Sequence, residues 1–414
     1  MSTAEQGPTA APPARGAAYT AVARALQRVT STSFGPYQSA VIRIGFAGTW
    51  LVFLLRELPH RGELYGPGAP WSWDLARQLI AGNSAFSALM WSDSRVWFET
   101  VYAVAVLSSL LLMLGWRTRT LSVVFMVGVL SLQNRSVFLG DGGDNVIHIM
   151  AVYLVFTRCG QVWSLDARRA ARAARDGGPG ARPQDRTGPV LWAVLGAVLA
   201  VGAATSPGHV QLWTRVLLWG AWAVQGLWWA ANRYAPGSHE RTLLDVFAHL
   251  LHNAALVVIA VEVCLIYSTA GWYKIQGTRW EDGTALFYPL KLDYFTPWPW
   301  LSGLLAASSL FVLVFTYGTV MVQIAFPFTL FNRRVKNVLL VGMMLEHAGI
   351  AVLLGLPFFS LAMITADAVF LPTGFLLWLG ARAAAGRARL RGRRGGGLPG
   401  QRREAGDQTR TLVG

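Results

Sequence analysis

Residues 246–270 read VFAHLLHNAALVVIAVEVCLIYSTA, and the chain leaves this run through Gly271-Trp272-Tyr273-Lys274-Ile275-Gln276-Gly277. Within it, Glu262 is the one acidic or basic residue apart from histidines. About 20 mostly apolar residues suffice for a helix to cross the hydrocarbon core of a bilayer. No water reaches that region, so each backbone N–H and C=O has to be bonded inside the protein, and an isolated span is therefore helical. Working outward, nine more runs read the same way: 38–56, 97–115, 120–137, 144–158, 189–206, 211–231, 300–331, 337–355 and 358–380. Counting all ten in chain order, the fourth (144–158) is short and the eighth (300–331) is expected to kink near Pro327. The expected fold is all-α, a polytopic membrane helix bundle of about 8–10 transmembrane helices.

Composition agrees. Over the 414 residues, charged side chains make up 14 % and hydrophobic ones 53 %, with 18 Trp and 43 Gly. A soluble chain carries roughly 25 % charged residues, so a soluble enzyme, a disordered regulator and a disulfide-stapled secreted domain are excluded. The net charge of +15 invites a nucleic-acid reading, but its placement favours topology. With the N-terminus inside, 26 of the 36 basic residues fall on cytoplasmic segments and eight on outer ones. That distribution obeys the positive-inside rule and puts both termini in the cytoplasm of a multi-pass plasma (inner) membrane protein, with no nucleic-acid partner. Residues 1–35 are expected to be a disordered cytoplasmic tail without the apolar region of a cleavable signal. Residues 36–380 form the transmembrane domain, with a cytoplasmic linker at 159–188 and extracytoplasmic loops at 57–96 and 271–299. The Arg-rich stretch 381–414 is a second disordered tail. Cys159 and Cys264 have no zinc spacing and no disulfide framework, and read as packing residues.

Ionisable groups inside spans are costly, which makes each a candidate for function. They are Arg43, His148, Arg215, His249, His252, Glu262, Glu346, His347 and Asp367. About half of such groups are expected to tie helices together, Arg43 by pairing with an acid. Asp245, His249 and His252 share one helical stripe, which reads as interhelical hydrogen bonding rather than a metal site. Gly140-Asp141-Gly142-Gly143-Asp144-Asn145 reads as a turn, with Asp144 or Asn145 capping the helix that follows. The most distinctive run is Tyr267 through Gly283, where Lys274 sits among Trp272, Tyr273 and Trp280. A lysine in an aromatic, poorly hydrated mouth can serve as a general base; the plainer alternative is an interfacial lysine snorkelling beside an aromatic belt.

Four stretches resemble a known family. They are Arg43 through Tyr65-Gly66-Pro67-Gly68, Gly140–Asn145 running to Trp163-Ser164-Leu165-Asp166, Ala270-Gly271-Trp272-Tyr273-Lys274 to Gly283, and Glu346-His347 through Phe359-Ser360. Together they are similar to the horizontally transferred transmembrane (HTTM) domain, related to the membrane part of vitamin K-dependent gamma-carboxylases. The resemblance implies Lys274 as a base acting on a lipid quinol, such as menaquinol, and His347 as a second catalytic residue. It implies Trp272, Tyr273, Trp280, Asn145 and Glu346 as substrate-binding residues, and no metal. The chain departs from the carboxylase pattern at Val146, where a histidine is expected, and at Ile350, where an asparagine is expected. Carboxylases continue after the spans into a large extracytoplasmic domain, where residues 381–414 here are expected to be an Arg-rich cytoplasmic tail. The readings are thus a quinol-dependent membrane enzyme, a non-enzymatic partner in maturation or export of a small secreted peptide, and a small-solute transporter.

Overall fold

The computed structural model describes residues 14–178, 185, 187–205 and 211–395. Among these the regular structure is helical throughout. In the first half the longer helices are α1 (Ala14–Ser31), α2 (Pro36–Glu57), α3 (Trp73–Asn83), α4 (Arg95–Leu114), α5 (Thr118–Arg135), α6 (Gly142–Phe156) and α7 (Leu165–Gly177). The second half holds α8 (Thr187–Thr205), α9 (Leu212–Tyr234), α10 (His239–Ile275), α11 (Ser309–Ala325), α12 (Arg333–Leu353), α13 (Pro357–Asp367) and α14 (Thr373–Gly395). Six described helical stretches are long and apolar enough to cross a membrane: Tyr19–Tyr65, Arg95–Leu114, Thr187–Ala204, His239–Ile275, Ser309–Thr329 and Arg333–Leu353. They suggest an integral, multi-pass membrane protein. The α6 helix is apolar but shorter, at 15 residues.

Two expected spans are interrupted. The eighth is split at Ser308, whose hydroxyl accepts from Phe311 N–H (3.3 Å) and starts α11 after a separate helix, Pro299–Ala307. Pro327 then lies in a 3-10 turn, Phe326–Thr329, rather than within a bent helix. The tenth ends at Asp367, and a turn at Ala368–Phe370 follows before Pro372. Proline blocks helical geometry in the residue before it and has no N–H for the ladder. Residues Pro372–Gly414 form a second compact unit, described here by its helix α14 alone.

The stretches expected to lack order are partly helical. In the N-terminal one, α1 docks on α10: Asn253 Nδ2 donates to Val29 O (3.0 Å) and Thr32 O (2.9 Å). The linker carries α7, started by Ser164, whose hydroxyl accepts from Ala167 N–H (2.9 Å). The C-terminal stretch is helical to Gly395. Residues 1–13, 179–184, 186 and 396–414 of these stretches lie outside the described residues.

The centre of the first unit is α2. Ile42, Phe46, Trp50 and Leu54, spaced by one turn each, are buried and face α4 and α13. Helices in lipid gain little from burying apolar surface, because acyl chains are just as apolar, so polar ties and close packing decide which helices meet. Arg43 supplies the main tie. Its side chain is 0 % exposed. Nη1 donates to Leu112 O (2.6 Å) and Met113 O (2.7 Å), Nε to Cys159 O (3.1 Å), and Nη2 to Trp163 O (2.9 Å).

This corrects the expected Arg43–acid pair. Leu112 and Met113 belong to the last turn of α4, where carbonyls lack the usual partner and the helix dipole favours a cation. The same Trp163–Asp166 run sends the Asp166 carboxylate to the start of α5. It accepts from Arg117 N–H and Thr118 N–H, both at 2.8 Å. A cation thus closes one helix end and an anion opens the next. At the other end of α5, Arg135 is buried and donates to Trp71 O (2.9 Å) and Gly66 O (2.8 Å), tying down the 57–96 stretch.

Replacing Arg43 should therefore be severe. Lysine keeps the charge, but its single ammonium cannot reach four carbonyls from two chain segments. We expect Arg43→Lys to lower stability by about 3 kcal/mol or more, the scale for disrupting a buried charged tie. Unfolding monitored in detergent checks this. Wild-type stability in Arg43→Lys would show that the charge alone suffices.

Candidate functional site

Tyr267, Gly271 and Lys274 are spaced four and three residues apart and fall on one face of α10. Gly271 sets the approach of α11. A Cβ there would lie 2.6 Å from Ile324 Cγ1 and 3.5 Å from Ile324 N, so a larger residue would push α11 away. The close crossing delivers Gln323 of α11 to Lys274, whose Nζ donates to Gln323 Oε1 (2.8 Å). Gln323 Nε2 in turn donates to Glu346 Oε1 on α12 (2.7 Å). The amide bridges an amine and a carboxylate with each of its ends on the matching partner.

One residue beyond Glu346, His347 faces a second polar group. The Tyr267 hydroxyl lies 3.0 and 3.1 Å from the two Asp367 carboxylate oxygens and 3.0 Å from His347 Nε2. With the carboxylate ionised, the hydroxyl proton goes to Asp367 and His347 Nε2–H donates to the phenolic oxygen. With the carboxyl protonated, the order of donation reverses. In either sense His347 Nδ1, on a side chain only 2 % exposed, has no hydrogen-bond partner among the described residues. The Phe359 ring stands edge-on to the imidazole with centroids 5.5 Å apart.

The stretch after α10 closes over Lys274. Trp280 N–H donates to Gly277 O (2.8 Å), Tyr317 of α11 donates from its hydroxyl to Glu281 O (2.6 Å), and the Trp280 ring centre is 5.3 Å from Lys274 Nζ. Asp282 orders the turn by accepting from Thr284 N–H (2.9 Å) and from the Thr284 hydroxyl. The hydroxyl bond is the main reason its pKa is lowered. The sign of that shift makes the turn firmest above the ordinary carboxylate range and weaker as the pH falls through it.

The structure thus brings together Lys274, His347, Glu346 and Trp280. Trp272 and Tyr273 point outward, 60 % and 74 % exposed. Asn145 is exposed on the first turn of α6. The cap of that helix is Asp141 rather than Asp144 or Asn145. Its carboxylate accepts from Gly143 N–H (2.6 Å) and Asp144 N–H (3.1 Å), while Asp144 accepts from Asp141 N–H (2.9 Å) in a reciprocal box. The glycines there serve packing, since a Cβ on Gly143 would fall 2.5 Å from Phe359 Cα.

Sequence reasoning missed three members of the site: Tyr267, Gln323 and, as a site residue, Asp367. The spacing of Tyr267 from Lys274 was a usable signal. Gln323, isolated in the apolar run Thr319-Val320-Met321-Val322-Gln323-Ile324-Ala325, was another. No family model matches the chain, and no curated protein or solved structure matches it.

Gly271→Ala should move α11 and part Lys274 from Gln323. We expect a thermal midpoint several degrees below wild type, restored in the double variant Gly271→Ala/Ile324→Ala, where the clashing side chain is gone. A double variant no better than the single one would place the strain elsewhere.

Proposed function

We propose that the chain is an HTTM-type multi-pass protein of a bacterial inner membrane, with both termini cytoplasmic, and that Lys274 is the base of a quinol-dependent enzyme. The observation that carries this reading is the Lys274 amine of α10, bonded through Gln323 of α11 to Glu346 of α12, with the next residue, His347, in a second polar group with Tyr267 and Asp367 of α13. The resemblance to gamma-carboxylases and the distribution of basic residues support the family and the orientation.

The residues fit an amphiphilic aromatic diol. Two polar atoms able to engage hydroxyls, Lys274 Nζ and the unpartnered His347 Nδ1, occur with the Trp280 and Phe359 rings. Such a mixture of few polar groups and aromatic walls is what small-molecule sites use. A bound quinol supplies reducing electrons and an acidic hydroxyl.

The work of this chain is to take that hydroxyl proton. Neutral Lys274 keeps its lone pair while one N–H is held by Gln323 Oε1, and Nζ accepts the proton to become an ammonium. The π-face of Trp280 and the Glu346 carboxylate behind Gln323 favour the cation formed. His347 Nδ1 orients the second hydroxyl, and Tyr267 and Asp367 fix the imidazole from its far side.

Detergent-purified wild type should retain menaquinone in stoichiometric amount by mass spectrometry and consume menaquinol aerobically. Lys274→Ala should fold, with an unchanged thermal midpoint within a few degrees, and lose about 10²–10⁴-fold of that rate, the usual scale for general-base catalysis. Absence of quinone together with equal rates in both proteins would refute the assignment.

A further inference from the structure

A second cluster gathers at the ends of α5, α6, α9 and α10 that the basic-residue distribution assigns to the cytoplasmic side. The Trp228 ring of α9 contacts two guanidiniums: Arg119 Cζ lies 3.8 Å and Arg241 Cζ 4.7 Å from its centre. Arg241 forms an ion pair with Asp245 and donates from Nε to Asn232 Oδ1 (2.7 Å). Arg158 Nη1 is 3.6 Å from the other oxygen of Asp245 and 3.0 Å from His249 Nε2.

The charges of this cluster do not balance. His252 accepts from Arg158 N–H at Nδ1 (2.9 Å) and has Nε2 2.7 Å from Phe34 O, the bonding of a neutral imidazole. His249 faces Arg158 in the same way, as an acceptor at Nε2. Three guanidiniums therefore share one carboxylate. Arg241 and Arg158 are engaged by Asp245, whereas Arg119 has the indole face alone: none of its N–H donors reaches an acceptor among the described residues. Arg119 is also an exposed residue, with its guanidinium held on the Trp228 face.

The surroundings indicate the kind of anion. On α9, Val224, one turn before Trp228, and Leu227 are 55 % and 57 % exposed, and Leu243 and Phe247, interleaved with Arg241, Asp245 and His249 but on the opposite face of α10, are 57 % and 61 % exposed. A planar cationic fork beside unpartnered apolar side chains at a membrane boundary suits a phosphate that carries acyl chains. We propose that Arg119, backed by Trp228 and Arg241, binds the phosphate of an anionic phospholipid at this face. The site is independent of the Lys274 network and of any activity there.

The test uses full-length protein, delipidated in neutral detergent and titrated with phosphatidylglycerol, phosphatidylcholine or inorganic phosphate, with binding read by native mass spectrometry. Wild type should bind phosphatidylglycerol in preference to phosphatidylcholine. Arg119→Gln should weaken phosphatidylglycerol binding roughly five- to tenfold, as expected for loss of one arginine contact near a membrane surface. Arg119→Lys should retain most of the binding. Arg382→Gln removes an equal charge from another arginine–tryptophan pair, Arg382 over Trp378 (5.0 Å), and should bind as wild type does. Equal binding of the two lipids, or equal losses in Arg119→Gln and Arg382→Gln, would overturn the proposal. Inorganic phosphate competing at the same concentration as the lipid would assign the anion to a soluble source and overturn the lipid reading.

Discussion

The Arg43 guanidinium is the constraint on which the first unit depends. A cation buried without a carboxylate is tolerated because four backbone carbonyls take its protons, and two of those carbonyls terminate α4. Leu112 O also accepts from Gly115 N–H (2.9 Å), but removal of Arg43 would take away the side-chain donor to Met113 O, Cys159 O and Trp163 O, where an unmet acceptor in an apolar setting costs roughly several kcal/mol. The position of α2 relative to α4 follows from this tie. So does the position of Asp166, which opens α5. Apolar packing around Ile42, Phe46, Trp50 and Leu54 fills a frame that polar bonds have already specified.

The buried polar groups fall into two kinds. Arg43, Arg135 and His252 bond mainly to backbone atoms and leave few donors or acceptors free. That is how a structural tie is made. The Lys274 and His347 groups bond instead to side chains, across four helices, and His347 Nδ1 is left over. A side-chain network can exchange protons by small rotations, which a backbone tie cannot, and its unpartnered atom is costly unless something else engages it. This contrast is the ground for proposing function at Lys274 rather than at the more deeply buried arginines.

Much of this was legible in the sequence. The apolar runs predicted the long helices, and the stripe Tyr267, Gly271, Lys274 could be read as one face of α10 from spacing alone. What meets that stripe could not be read, because the rotation of α11 and α12 about their axes is set by close contacts such as Gly271 against Ile324. The acid expected beside Arg43 turned out to be carbonyls for a related reason: orphan acceptors exist only where a helix ends in space. Breaks at Ser308 and Pro372 were hidden by apolar flanks, since hydropathy averages over a cap and a proline alike. The cap at Asp141 was misassigned by three or four residues, because Asp141, Asp144 and Asn145 are all residue types that cap helices and spacing alone does not choose among them.

The central claim is that the α10–α13 network is where an aromatic diol binds. Photolabelling addresses it directly, in native membranes and without turnover. A menaquinone analogue with a photoreactive ring would be crosslinked to the wild-type protein and the modified peptides mapped by mass spectrometry. The account predicts labels concentrated in residues 271–283 and 346–360, suppressed by excess unlabelled menaquinone. Labels spread over the lipid-exposed helices, and insensitive to that competition, would contradict it.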